Sequence, residues 1–284
     1  IAGMAATAGS GAAIGADGRP SGLAEAIRFP DHLVRLRAAL VLGRILPQQT
    51  FAGANEVVPV LVSAFTINGQ KNYLVIDPNQ EMAEAIAGDL TKSGAKVIAA
   101  AKLELGLARA AEQASQLDGV FLASDMAGPG PVDAVRILGR DERFGLAPVV
   151  LYVKEGGMLI SDQVVEADWR VGRVLVVEGK SPTEQLLAKL QQVNANYGYG
   201  PLTAENGVAL SLEAARALQR IAATDSKVFD ARTAEEALTK ALNTHASEEV
   251  RIATTRVLAR LNTPTSQAAI AAVALSDKQT PTLR

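Results

Sequence analysis

The chain has 284 residues, 48% hydrophobic but only 4% aromatic, with no cysteine, two histidines and a formal net charge of −2. That length suggests about two domains with sizeable cores built from Ala, Val and Leu. The composition excludes disulfide scaffolds, thiolate metal sites and cysteine nucleophiles, and disfavours a multi-histidine metal centre or a strongly basic nucleic-acid binder. No stretch offers about 20 strongly apolar residues, so no membrane-spanning helix is expected. The sequence opens at Ile1 without the charged start of a signal peptide, which reads as a fragment or a processed chain. A cytoplasmic setting is the expectation.

Taken in chain order, the first clear element is an amphipathic helix over 34–45, VRLRAALVLGRI, followed by NEVVPVLVSAF at 55–65. Five short apolar strands then alternate with helices. The strands are 73–77, 96–100, 119–124, 147–153 and 173–177. The intervening helices are 79–94, 103–116, 131–140 and 158–168, with a last one over 182–193. Alternation of this kind predicts a parallel, doubly wound α/β sheet covered on both faces. Helices return at 210–221, LSLEAARALQRI, then at 233–242, 250–261 (VRIATTRVLARL) and 267–275. INGQK (67–71) and NANYGYGP (194–201) carry turn chemistry and read as linkers.

The three twelve-residue strings are copies of one pattern. They share an aliphatic at positions 1, 3 and 12, a small residue or Thr at 5 and 6, Leu at 9 (Leu42, Leu218, Leu258) and Arg at 11 (Arg44, Arg220, Arg260). Each is followed by a second helix after a breaker, so the unit is a helical hairpin. The copies starting at 210 and 250 are offset by 40 residues, the period of HEAT and armadillo solenoids. The Val-Arg pairs at 34–35 and 250–251 also resemble the start of a HEAT-repeat helix. The copies starting at 34 and 210 are offset by 176, one period plus a whole domain. The α/β region is therefore expected as an insertion: a HEAT-like segment over 1–70, an α/β domain over 71–195, and a second HEAT-like segment over 196–284.

The inserted region resembles the receiver domain of two-component response regulators. LVID (74–77), DGVFLASDM (118–126), APVVLYV (147–153) and VLVVEGKSPTEQLL (174–187) carry the resemblance. It implies a pocket at the strand ends with two adjacent carboxylates holding Mg²⁺, an acceptor Asp, a Ser or Thr hydroxyl and a Lys. The matching positions are Asp77 with Pro78, then Ala123, Val153 and Glu178. Met126, three residues past Ala123, fixes that register. One of the five groups remains. An Ala cannot be phosphorylated, Val has no hydroxyl, and Glu178 would repel a phosphoryl group. Asp77 reads most simply as a strand-end residue satisfied by backbone N–H groups. A displaced metal pocket from Asp77 and Asp125, two residues past Ala123 on the same strand face, is the sharper alternative.

Other strings carry less. Gly9, Gly11 and Gly15 lack βαβ context, and GKS at 179–181 has Val174 where a phosphate-binding loop needs Gly. RVLVVEGKS also resembles the first strand of TOPRIM domains, but no Asp-x-Asp pair follows. His32 and His245 read as loop or cap residues, Trp169 as packing, and Ser161 and Ser247 lack a nearby His–acid pattern. The Arg column reads as a solvated helix edge pairing with acids such as Glu213 or Glu235, or as a partner surface.

The expectation is a non-catalytic signalling or scaffolding protein that binds protein partners, with no cofactor, metal or nucleic acid. The sequence leaves a homo-oligomer open. The alternatives are a receiver that still binds metal or phosphoryl groups through Asp77 and Asp125, and a flavodoxin-like small-molecule enzyme.

Overall fold

The computed structural model describes residues 21–126, 128–153, 164, 172–178, 183–197, 200, 202–224, 226–277 and 279–283. The glycines at 9–15, the GKS string, Ser161 and Trp169 lie outside the described residues, as does all of the 158–168 helix but Val164. The chain divides into two compact units: Gln70–Pro201 is one, and the segments ending at Gly69 and starting at Leu202 together form the other.

In the helical unit, a one-turn helix (Gly22–Glu25) leads to α1 (His32–Ile45) and α2 (Ala54–Ser63). After the second unit come α7 (Ala204–Ala223), α8 (Glu235–Thr244), α9 (Glu248–Leu261) and α10 (Pro264–Ala274). The three copies of the repeated string occupy α1, α7 and α9. The Leu column, Leu42, Leu218 and Leu258, is fully buried, contributing about 1.5–3 kcal/mol per side chain. Helix α7 packs against both α1 and α9, and the hairpin partners α2, α8 and α10 follow their own first helices.

Copies one and three share local chemistry beyond the apolar stripe. Asp31 caps α1 by accepting from Val34 N, and Ser247 caps α9 by accepting from Val250 N. Both helices end in a left-handed residue at the same position, Leu46 and Asn262. The Arg at position 2 turns back to secure a carbonyl. Arg35 donates to the Phe29 and Pro30 oxygens, at 2.9 and 3.1 Å, and Arg251 donates to Leu242 O at 2.7 Å. Copy two has Ser211 there, fully buried and donating to Ala64 O at 3.0 Å.

That Ser211 bond belongs to a seam between chain segments separated by the other unit. A Cβ built at Gly207 would collide with the Ile67 carbonyl, so only glycine allows α7 to lie against the segment 64–67. Gly69 has φ +78°, and a Cβ there would come within 2.7 Å of Ala204 N. The chain thus leaves and re-enters the helical unit at one place. Phe51 and Phe229, in the loops that join the first two hairpins' helices, meet edge to face at 6.2 Å.

The second unit is a five-stranded parallel sheet of β1 (Asn72–Ile76), β2 (Lys96–Ala100), β3 (Gly119–Ala123), β4 (Val149–Val153) and β5 (Val174–Glu178). The order is β2-β1-β3-β4-β5, with every neighbouring pair parallel. This is the flavodoxin-like doubly wound order, which receiver domains share. The connecting helices are α3 (Gln80–Lys92), α4 (Leu103–Gln113), α5 (Pro131–Arg140) and α6 (Thr183–Tyr197). Helix α6 runs through 194–197, which sequence reading had placed in a linker. Strand residues alternate between two cores. Leu74, Ile76, Val120, Leu122, Val149 and Leu151 face α4 and α5. Tyr73, Val75, Phe121, Ala123, Val150 and Tyr152 face α3 and α6.

The seam closes the helical unit on itself without using residues of the other unit. Replacing 70–201 with a short Gly/Ser linker is expected to leave the remaining helices melting in one cooperative transition by circular dichroism. Adding Gly207→Ala to that protein should lower its stability by more than the ~1 kcal/mol of an ordinary substitution, because the Ile67 carbonyl must move. Loss of cooperativity on excision alone would show that the helices depend on the sheet.

Candidate functional site

The chain runs from β1 outward to β2 and then crosses to β3 on the other side of β1. The topological switch therefore lies between β1 and β3, and a crevice is expected outside their carboxyl ends. Asp77 follows β1 and Asp125 follows β3 at this place. Registry puts Ile76 beside Leu122, and Ala123 beside Tyr152. Asp77, Ala123 and Tyr152 are consequently level on three adjacent strands, and by strand alternation all three side chains lie on the α3/α6 face.

Asp77 is 1% exposed. Its Oδ2 accepts from the Tyr152 hydroxyl at 2.6 Å and its Oδ1 accepts from Asn79 N–H at 2.8 Å. Pro78 explains the second bond: it has no N–H, so the next backbone donor is Asn79. The Asn79 side chain in turn caps α3 by accepting from Met82 N. Strands β1 and β4 are two strand spacings apart, about 10 Å. A long side chain must span that gap over β3, and Ala123, fully buried, is small enough to let the tyrosine pass. The Tyr152 hydroxyl is held well above the usual phenol range, first by burial, then by its bond to Asp77, then by the charges of Asp77 and Asp125. It remains a protonated donor and offers neither a nucleophile nor a base at neutral pH.

The six pocket positions named from the sequence fall as follows. Asp77 and Ala123 converge with Tyr152, whereas Val153, 5% exposed, has the opposite strand parity and joins the α4/α5 face by alternation. Pro78 is half-buried and Asp125 is exposed. Glu178 ends β5 in register with Val153. The backbone-only account of Asp77 is corrected: one of its hydrogen-bond donors is a side chain 75 residues away. Tyr152 was missed by sequence reading. Its signal was an aromatic with a polar tip inside an otherwise aliphatic strand, one residue before the expected hydroxyl position.

The arginine column is exposed: Arg44, Arg220 and Arg260 all face solvent in the helical unit. Their proposed acid partners are taken elsewhere. Glu213 pairs with Arg37 at 3.0 Å, and Glu235 accepts from Thr263. His32 lies in the cap region of α1, as its buried first residue, with Nε2 2.7 Å from Ser63 Oγ. His245 caps the end of α8, and its Nδ1 accepts from Ser247 N.

Among the described residues, no group of three or more His, Cys, Asp or Glu side chains is placed to hold a metal ion. No helix among them is long and apolar enough to cross a membrane.

No family model and no curated protein matches the sequence. Solved structures do. The chain is similar to a chemotaxis response regulator of Vibrio cholerae, with 19% identity and a TM-score of 0.36, over 44% of this chain and 98% of that one. It is similar to the receiver domain of a Francisella response regulator at 12% identity and a TM-score of 0.36, over 45% and 98%. It is also similar to a response regulator protein from Burkholderia pseudomallei at 22% identity and a TM-score of 0.37, over 68% and 99%.

Two expectations follow. Tyr152→Phe removes the donor to a buried carboxylate and should cost roughly 1–3 kcal/mol in urea unfolding. In a double-mutant cycle with Asp77→Asn, the two losses should couple by at least about 0.5 kcal/mol; strict additivity would mean that the pair does not act as one unit. At the opposite end of the sheet, Asp118 accepts from Asn72 N–H and Gln116 but is 3% exposed, and burial lifts its carboxyl to about 6. Its folded value lies above its unfolded one, so its stabilising effect is full below about pH 4 and is lost as pH rises through about 6. Asp118→Asn should flatten the stability profile across that window.

Proposed function

We propose that the chain is a non-catalytic protein-binding component of a signalling system, in which HEAT-like helical hairpins carry an inserted receiver-like domain without phosphoryl chemistry. The observation that carries this reading is Ala123. The resemblance to receivers implies an acceptor carboxylate at that position, and a buried methyl group stands there instead. The neighbouring groups support the same reading. Both carboxyl oxygens of Asp77 already accept hydrogen bonds, Val153 brings no hydroxyl, and an acid, Glu178, ends β5 where a lysine is implied.

The HEAT-like part of the reading rests on the equivalent N-cap, carbonyl-securing Arg and left-handed C-cap of α1 and α9, at matching positions of the repeated string. Stacked hairpins present extended surfaces suited to partners. The partner surface is assigned to the solenoid face that bears Arg44, Arg220 and Arg260. A receiver retaining metal through Asp77 and Asp125 is disfavoured, because both carboxyl oxygens of Asp77 are already engaged as hydrogen-bond acceptors.

Incubation with acetyl phosphate and Mg²⁺, followed by intact mass measurement, tests this directly. The mass should not change, and the melting temperature should be the same with and without Mg²⁺. A stoichiometric gain of one phosphoryl group would overturn the reading.

A further inference from the structure

The ion pair between Arg37 and Glu213 joins residues at position 4 of the first and second copies of the repeated string, 3.0 Å apart. A few residues further on, a Cβ at Gly43 would meet Ala217 and Ile221. Both contacts advance in the same direction, so α1 and α7 lie side by side and parallel, with equal positions adjacent. Seven residues beyond position 4 is two turns along the same face. At that point, however, the two helices present Arg44 and Arg220, two cations in place of an ion pair. One turn earlier, position 7 is Arg216 in α7 and Arg256 in α9, and α9 adds Arg260 at position 11. All five guanidinium groups are exposed, and none has an ion pair with a described residue.

Helix C-termini favour cations, which accounts for Arg44, Arg220 and Arg260 one at a time. It does not account for Arg216 and Arg256, a full turn inward, nor for five exposed like charges at matching repeat positions of three helices in a chain whose net charge is −2. Their spacing is about 6 Å along each helix and about 8–10 Å between helices. An extended polypeptide repeats side chains on one face about every 6.6 Å, close to the spacing along each helix and within reach of the long, flexible arginine side chains on neighbouring helices. The cations are all arginine, whose planar fork binds carboxylates through two parallel bonds. No aromatic residue interleaves them at the repeated positions, as stacking on single-stranded nucleic acid requires.

We infer that the arginine face of α1, α7 and α9 binds an extended acidic segment of a partner protein. This rests on the reading of the chain as a protein-binding scaffold and names the chemistry of what it takes.

The test uses the full chain and a fluorescent Glu/Ser peptide of about 10 residues, long enough to cross the three helices, with a Lys/Ser peptide and an oligothymidylate as comparators. Fluorescence anisotropy should show binding of the acidic peptide at low salt that weakens as salt rises. The triple variant R44A/R220A/R260A should bind about tenfold more weakly or worse. A control triple with the same change in net charge, K102A/K189A/K240A, should stay within about threefold of wild type, well short of that loss. The single variant Arg220→Ala should lose affinity in the same direction with unchanged melting, which covers the case of a poorly folding triple. Absence of salt-sensitive binding, equal losses in both triples, or tighter binding of the oligothymidylate would each overturn the inference. None of these outcomes bears on phosphorylation, so the preceding reading stands or falls separately by mass measurement.

Discussion

The constraint on which the whole molecule depends is the seam between the segment 64–69 and the start of α7. A domain can interrupt a helical stack only if the chain leaves and returns at one place. Here the return is enforced by contact. Gly207 admits the Ile67 carbonyl, Ser211 satisfies the Ala64 carbonyl, and Gly69 turns with positive φ beside Ala204. These groups let α7 pack on α1 as if the two hairpins were consecutive in sequence. The Arg37–Glu213 pair expresses the same point, because its separation of 176 residues is the offset between the first two copies.

Inside the α/β unit, a comparable constraint operates across the strands. The β2-β1-β3-β4-β5 order places β3 between β1 and β4, and the small side chain of Ala123 leaves the corridor through which Tyr152 reaches Asp77. A carboxylate that would attract a cation in an open crevice is here a buried acceptor tied to a phenol and a backbone N–H. At the carboxyl ends of β1 and β4 the polar groups are thus turned to one another inside the α3/α6 core.

Much of this was legible in the sequence because burial is periodic. Alternation at two and at 3.6 residues marked the strands and helices, and a repeated apolar stripe with a fixed Leu and Arg marked the hairpins. The 131–140 helix and the 96–100 strand were placed with their observed bounds. Boundaries failed where local signals were weak, as at α6, which continues through Asn194–Tyr197 despite its turn-forming residues.

The sequence by itself determined the kind and order of elements, the repeat, the interruption, and the presence of an alanine at position 123, since each is a property of spacing or of residue identity along one stretch of chain. Only the tertiary structure decided which distant groups meet. That Tyr152 rather than a backbone donor satisfies one oxygen of Asp77, and that Glu213 answers Arg37 and leaves Arg44 and Arg220 side by side, depends on strand order and helix stacking. Such pairings join residues 75 and 176 positions apart. Local periodicity fixes which face of an element is buried, but it carries no record of which other element that face will lie against.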